Sequence, residues 1–175
     1  MHRILAITNQ KGGVGKTTTS VNLAASLAAT KRRVLLIDCD PQGNATMGCG
    51  IDKRSLECST TEVLLGQCDA AAALLSVDYA DFRLMPANQD LVAAEVELMG
   101  KAGCESRLRD ALQPIRDQFD MILIDCPPAL NMLTVNGFAA ADAVIIPMQC
   151  EYYALEGLSD LVGTLRKVKQ NLNPR

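Results

Sequence analysis

A chain of 175 residues is long enough for one domain with a substantial core. Its residues are 49% apolar, yet no run approaches the length of a membrane span, and a formal charge of −3 argues against a wholly basic nucleic-acid binder. Aromatics are scarce and Trp is absent, so a base-stacking platform is not expected.

The N-terminus runs directly into an apolar strand pattern, Ile4-Leu5-Ala6-Ile7, with no extended apolar region and cleavage site. No secretory signal is expected, and His2 reads as a solvated terminal residue. Thr8-Asn9 and then Gly12, Gly13 and Gly15 follow the strand, before a helix predicted from Thr17 to Ala29. Lys31-Arg32-Arg33 is a basic turn that suits the end of that helix. Val34-Leu35-Leu36-Ile37 is a second buried strand closing on Asp38.

The middle is less regular. Asn44 to Ser59 reads as loop and turns; Thr60 or Thr61 caps a helix around Glu62 to Leu65, and Ala70 to Leu75 suggests another. Phe82-Arg83-Leu84-Met85 predicts a third strand, Asp90 to Met99 a helix, and Ser106 to Phe119 a helix interrupted at Pro114. Met121 to Ile124, ending at Asp125, is a fourth strand, Ala143 to Ile146 before Pro147 a fifth, and Leu155 to Leu172 a final amphipathic helix packing on the core. Strands that are apolar throughout belong to a parallel sheet covered on both faces. The expected fold is α/β, a mostly parallel sheet with helices on both faces, forming a single domain over residues 1–175.

The strongest chemical signal is Lys11-Gly12-Gly13-Val14-Gly15-Lys16-Thr17-Thr18. Aligned on Gly15-Lys16-Thr17, the common phosphate loop G-x-x-x-x-G-K-[ST] has its opening glycine replaced by Gln10, with a second lysine, Lys11, near the loop start. Glycines let backbone N–H groups wrap phosphate oxygens, and the helix opening at Lys16 adds its positive end. Lys16 is expected on the β- and γ-phosphates, the Thr17 hydroxyl on Mg²⁺, and Thr18 on the α-phosphate. The second strand runs into Asp38-Cys39-Asp40-Pro41-Gln42-Gly43-Asn44, placing two carboxylates where parallel sheets bind ligands. Ile122 to Asp125, followed by Cys126-Pro127-Pro128, has the form of a Walker B strand with Asp125 near Mg²⁺. The ligands these residues imply are nucleotide phosphates with Mg²⁺; ATP as the nucleotide is implied by the family resemblance that the same residues carry.

Taken together, Lys11 to Thr18, Leu36 to Thr46 and Ile122 to Pro128 resemble the ParA/Soj/MinD group of deviant Walker A ATPases. Ile146 to Gly157 and the closing Asn171-Leu172-Asn173-Pro174-Arg175 look like its ParA/Soj chromosome-partition branch. The resemblance implies that Lys11 reaches across a nucleotide sandwich homodimer, with Gly12 leaving room for the contact. It implies that Asp40 orients or activates the attacking water and that Asp38 supports the Mg²⁺ shell beside Thr17 and Asp125. It makes Asp38 to Gly48 and Asp125 to Gly137 switches sensing the γ-phosphate. The dimer is expected to bind nonspecific DNA in the cytoplasm or on the nucleoid, and a ParB-like centromere-binding protein to stimulate hydrolysis. Relatives continue past Arg175 with adenine-recognition and most DNA-binding residues, so a C-terminally shortened chain is expected.

Alternatives remain at this level. A MinD-like membrane-cycling regulator needs a C-terminal amphipathic helix. A redox ATPase like the nitrogenase iron protein needs cluster cysteines, and Cys126 is expected to point into the core. A chain that binds nucleotide poorly and only competes for a partner is the non-enzymatic reading. The seven cysteines, Cys39, Cys49, Cys58, Cys68, Cys104, Cys126 and Cys150, form no C-x-x-C pair and are expected to be reduced.

Overall fold

The structure, a computed structural model, describes residues 3–150 and 156–174. His2, the start of the last predicted helix at Leu155, Glu151 to Ala154 and Arg175 lie outside the described residues.

Six strands form one sheet: β1 (Arg3–Ile7), β2 (Val34–Asp38), β3 (Leu75–Val77), β4 (Ala80–Met85), β5 (Met121–Asp125) and β6 (Ala143–Ile145). Their order is β3-β4-β2-β5-β1-β6, parallel throughout except for the antiparallel β3–β4 hairpin. The central strands carry apolar residues on both faces because helices cover both. On one face, α1 (Lys16–Ala29) and α2 (Asn44–Gly48) pack through Ala24, Ala28, Ala45 and Cys49 onto Ile7, Leu36, Leu84 and Leu123. On the other, α3 (Thr60–Leu65), α4 (Leu91–Leu98), α5 (Arg107–Leu112), α6 (Met132–Ala140) and α7 (Glu156–Asn171) bury residues such as Leu64, Leu91, Leu108, Leu133 and Leu161 against Leu35, Ile37, Ile122 and Ile124. The five expected strands and the two-faced cover are all present.

Several local expectations are corrected. The predicted helix at Ala70 to Leu75 is a run of turns leading into β3, which pairs with β4 through the Asp78-Tyr79 turn. Four consecutive alanines favour a helix locally, but pairing to the sheet edge decides this segment. Asn44 to Gly48, expected as loop, is a helix, because the Asp38 carboxylate binds its backbone at Thr46. Ser59, rather than Thr60 or Thr61, caps α3: its hydroxyl accepts from Thr61 N–H, and the Glu62 carboxylate accepts from Ser59 N–H in a reciprocal box. The sequence reading also lacks α6, whose mix of Leu, Thr, Asn and Gly shows no helical stripe because seven of its nine residues are buried.

The seven-thiol expectation is corrected as well. Cys58 and Cys68 form a disulfide across the two ends of α3, with Cα atoms 6.5 Å apart. They lie ten positions apart in sequence, and the short helix between brings its ends within bonding reach, which cysteine spacing alone does not reveal. Cys39, Cys49, Cys104 and Cys126 are buried free thiols and Cys150 is exposed.

Candidate nucleotide and metal site

The site sits where β1, β2 and β5 end. Register places Asp38 directly beside Asp125, and Ile7 on the other side of Asp125, so the phosphate loop and both aspartates emerge side by side. The cleft encloses about 500 Å³ and is lined by Gly12, Gly13, Gly15, Lys16, Thr17, Thr18, Asp40, Gln42, Asn44 and Pro128.

Gly13 and Gly15 hold φ of +74° and +90°, backbone that a side chain would strain, and Gly15 delivers the chain into α1 without a side-chain cap. The first N–H groups of a 14-residue helix therefore face the cleft, ready for an anion. Val14 is buried. Lys16 is buried at 7% exposure and donates through Nζ to the Lys11 carbonyl at 3.0 Å. Burial lowers its ammonium from the usual lysine range, while the nearby Asp125 and Asp40 carboxylates oppose the shift.

Asp125 is fully buried. Its Oδ2 accepts from the Thr17 hydroxyl at 2.8 Å and its Oδ1 from the Ser20 hydroxyl at 2.7 Å. Burial pushes its carboxyl up to about 6, against the pull of those two hydroxyls. Asp38, also fully buried, commits its oxygens to the neighbouring loop: Oδ1 accepts from Asp40 N–H at 3.1 Å, and Oδ2 from Thr46 N–H at 2.8 Å and Thr46 Oγ1 at 2.7 Å. Burial, reinforced by the Asp125 charge, pushes it up to about 7. Asp40 lines the cleft and accepts Gln42 N–H at 2.9 Å, and Gly43 N–H donates to the Asp40 carbonyl at 2.8 Å, closing a tight turn.

The structure thus gathers Gly12, Gly13, Gly15, Lys16, Thr17, Thr18 and Asp40 around one cleft. Lys11 contributes its carbonyl to Lys16, Asp125 meets Thr17 beneath it, and Asp38 lies one strand away. Sequence reasoning missed three residues here. Ser20 shares the Asp125 carboxylate; its signal was an oxygen-bearing side chain one helical turn after Lys16. Asn9, only 8% exposed, accepts Lys11 N–H at 3.0 Å and donates to the Pro147 carbonyl at 2.8 Å. Thr46 holds Asp38 from α2. Cys126 is buried in the core with its thiol raised above the usual cysteine range by burial, as expected of a packing residue.

Thr17 and Asp125 supply hard oxygen donors at the base of a cleft for anions, a donor set that suits Mg²⁺. Among the described residues no group of three or more His, Cys, Asp or Glu could hold a metal alone.

A family model described as an AAA domain matches residues 2–175. The chain is 54% identical to the chromosome partitioning protein ParA of Myxococcus xanthus over 98% of its own length and 61% of that protein. It is 50% identical to the sporulation initiation inhibitor protein Soj of Bacillus subtilis, over 99% of its own length and 68% of Soj. The chain belongs to the ParA/Soj family of ATPases. It spans about two thirds of the length of the curated relatives it matches. A crystal structure from Mycobacterium smegmatis, described as a cobyrinic acid a,c-diamide synthase with bound ADP and magnesium, superposes with a TM-score of 0.96. It is 47% identical, and the match covers 99% of this chain and 71% of that one. Among the described residues no helix is long and apolar enough to cross a membrane.

Proposed function

We propose that residues 1–175 form a single P-loop domain that binds ATP with Mg²⁺ and hydrolyses it. In this reading, nucleotide-dependent homodimerisation of the ParA/Soj type drives DNA or chromosome segregation. The observation that carries the proposal is the convergence of the glycine loop, Lys16, Thr17 and Asp40 on one cleft, over the buried Asp125. ParA and Soj relatives support the partition role, and the ADP–magnesium neighbour supports the cofactors.

The residues divide the work by chemistry. The N–H groups of Gly12 to Thr18 cradle the phosphate oxygens. Lys16 leaves the Lys11 carbonyl for the β- and γ-phosphates, so its present partner is a placeholder. Thr17 with Asp125 would hold Mg²⁺, which would supply charge neutralisation at the phosphates. Asp40, on the cleft wall, orients the attacking water, while Asp38 braces the Asp40 backbone. Lys11 extends to the partner's phosphates across a dimer in which Gly12, with open space where a side chain would stand, permits close approach.

ATP-bound dimers engaging nonspecific DNA and a ParB-like protein, in the cytoplasm or at the nucleoid, complete the proposal. Calorimetric titration of Lys16→Ala with MgATP tests its base: binding is expected to vanish, and retained affinity would overturn the phosphate-site assignment. Sedimentation of the chain with ATP tests the dimer, which Lys11→Ala is expected to abolish; a wild-type monomer refutes the dimer, and a dimer retained in Lys11→Ala refutes the Lys11 role.

A further inference from the structure

Two loops flank the cleft, one carrying Asp40 and one following Asp125. Both are tied to a third stretch, the chain from Pro86 through α4. At its start, Ala87 N–H donates to Thr46 Oγ1 at 2.9 Å, and Thr46 Oγ1 in turn donates to Asp38 Oδ2. Thr46 is fully buried, and its one hydroxyl proton serves Asp38 while its lone pair receives Ala87. Gly43, two residues past Pro41, lies so close to the Ala87 carbonyl that an added Cβ would stand 2.8 Å from it. The preceding Pro86 carbonyl accepts from Thr60 N–H at 2.8 Å, and the Thr60 hydroxyl, with one proton to give, lies 2.8 Å from the Asp38 carbonyl and 3.0 Å from that of Pro86.

Two turns further on, α4 reaches the other loop. Glu95 Oε2 accepts from Asn131 Nδ2 at 2.9 Å, and Oε1 accepts from Met132 N–H at 3.1 Å. Asn131 is itself the cap of α6, its Oδ1 accepting from Thr134 N–H at 3.2 Å. A carboxylate from one helix therefore completes the N-terminus of another, at the point where the loop after Asp125 ends. The helix is held to the core by Leu91, Ala94 and Leu98, all fully buried or nearly so, and a packed helix moves as a unit.

We infer that Pro86 to Leu98 is a third nucleotide-responsive element, joined to the Asp40 loop by Thr46 and to the loop after Asp125 by Glu95, both acting as positioning residues. The inference rests on the proposed reading of the cleft as an ATP site. A shift of the Asp40 loop displaces a buried hydrogen bond on this segment and a shift of the loop after Asp125 displaces two partly buried ones, so the segment moves with the loops or the bonds are lost.

Hydrogen–deuterium exchange of the 175-residue chain, with and without MgATP, tests this. In the wild type, amides of Leu91–Leu98 are expected to exchange about tenfold more slowly with nucleotide bound. In Glu95→Ala that response is expected to disappear while the Asp40 loop still responds and nucleotide affinity stays within about threefold. Glu95→Gln keeps one carbonyl acceptor and is expected to retain part of the response, separating coupling from misfolding. Thr46→Val is expected to lower kcat about tenfold with little change in KM, and Thr46→Ser to restore it, since a purely packing role would not follow the hydroxyl. Bound nucleotide without any change at Leu91–Leu98 in the wild type, or an unchanged response in Glu95→Ala, would overturn the inference. A wild-type chain that binds no MgATP would overturn the reading of the cleft itself, and this inference with it.

Discussion

Replacing Ser20 by Ala removes one oxygen from the floor of the cleft, and the surrounding geometry fixes the consequence. Ser20 is fully buried in α1, and its hydroxyl lies 2.7 Å from Asp125 Oδ1 and 3.0 Å from the Lys16 carbonyl. One proton cannot serve both, and the shorter, charge-assisted bond to the carboxylate takes it. Alanine leaves Oδ1 of a fully buried aspartate without a donor, while Thr17 continues to serve Oδ2. A hydrogen bond to a charged acceptor is worth roughly 1.5–3 kcal/mol, so Ser20→Ala is expected to lower unfolding free energy by about 2 kcal/mol and Tm by roughly 4–8 °C. The Asp125 carboxyl, already raised to about 6, is expected to rise further once a bond that lowers it is gone. Urea denaturation at pH 7 measures the first effect, read as a drop in the midpoint at constant slope. A loss below about 0.5 kcal/mol would refute the reasoning, because it would mean that Oδ1 finds water or another donor and is not part of a dry polar floor.

Further outcomes are expected. Asp40→Ala should preserve MgATP binding and stop turnover; normal steady-state hydrolysis would remove Asp40 from its proposed role. Gly137→Ala should destabilise α6 by about 1–3 kcal/mol, because its Cβ would stand 2.9 Å from the Cys126 sulfur in a packed core. Adding Cys126→Ala should recover part of that loss, and strict additivity in thermal melts would count against the clash. For pH, Asp38 and Asp125 have folded values raised to about 7 and about 6, above their unfolded values. The folded state therefore holds more protons, and their contribution is fully present below about pH 4 and is lost as pH rises through 6 to 7. Nucleotide-free protein should lose Tm between pH 5 and 8 from this source. Asp38→Asn should flatten the loss, and an equally steep profile in the variant would refute the assignment.

The glycine loop leading into α1 was legible in the sequence because its geometry is local. Gly13 and Gly15 must adopt backbone that other residues avoid, Lys16 and Thr17 must open a helix, and all lie within a few positions of one another. The central strands β1, β2 and β5 were equally legible, since each carries an unbroken apolar run covered on both faces, whereas the short edge strand β3 was not. Relations between distant positions were not legible. Strand order, with β5 between β1 and β2, sets Asp38 beside Asp125 and gives Ser20 a carboxylate 105 positions away. Separation in sequence likewise hid Glu95 at the N-terminus of α6 and Asn9 against Pro147, while the closure of Cys58 on Cys68 needed the helix between them. Helix α6 escaped because burial on nearly every side erases the periodicity that marks a surface helix, and the alanine run before β3 misled because edge pairing outweighs local propensity. The glycines, lysine and threonine of the loop were therefore placed together by the order of residues alone, for that rests on backbone freedom and charge carried by near neighbours. How two aspartates that end different strands divide their oxygens between the floor of the cleft and its supporting loops was settled only by folding. That division depends on which hydroxyl and N–H donors the packed sheet and helices bring within reach.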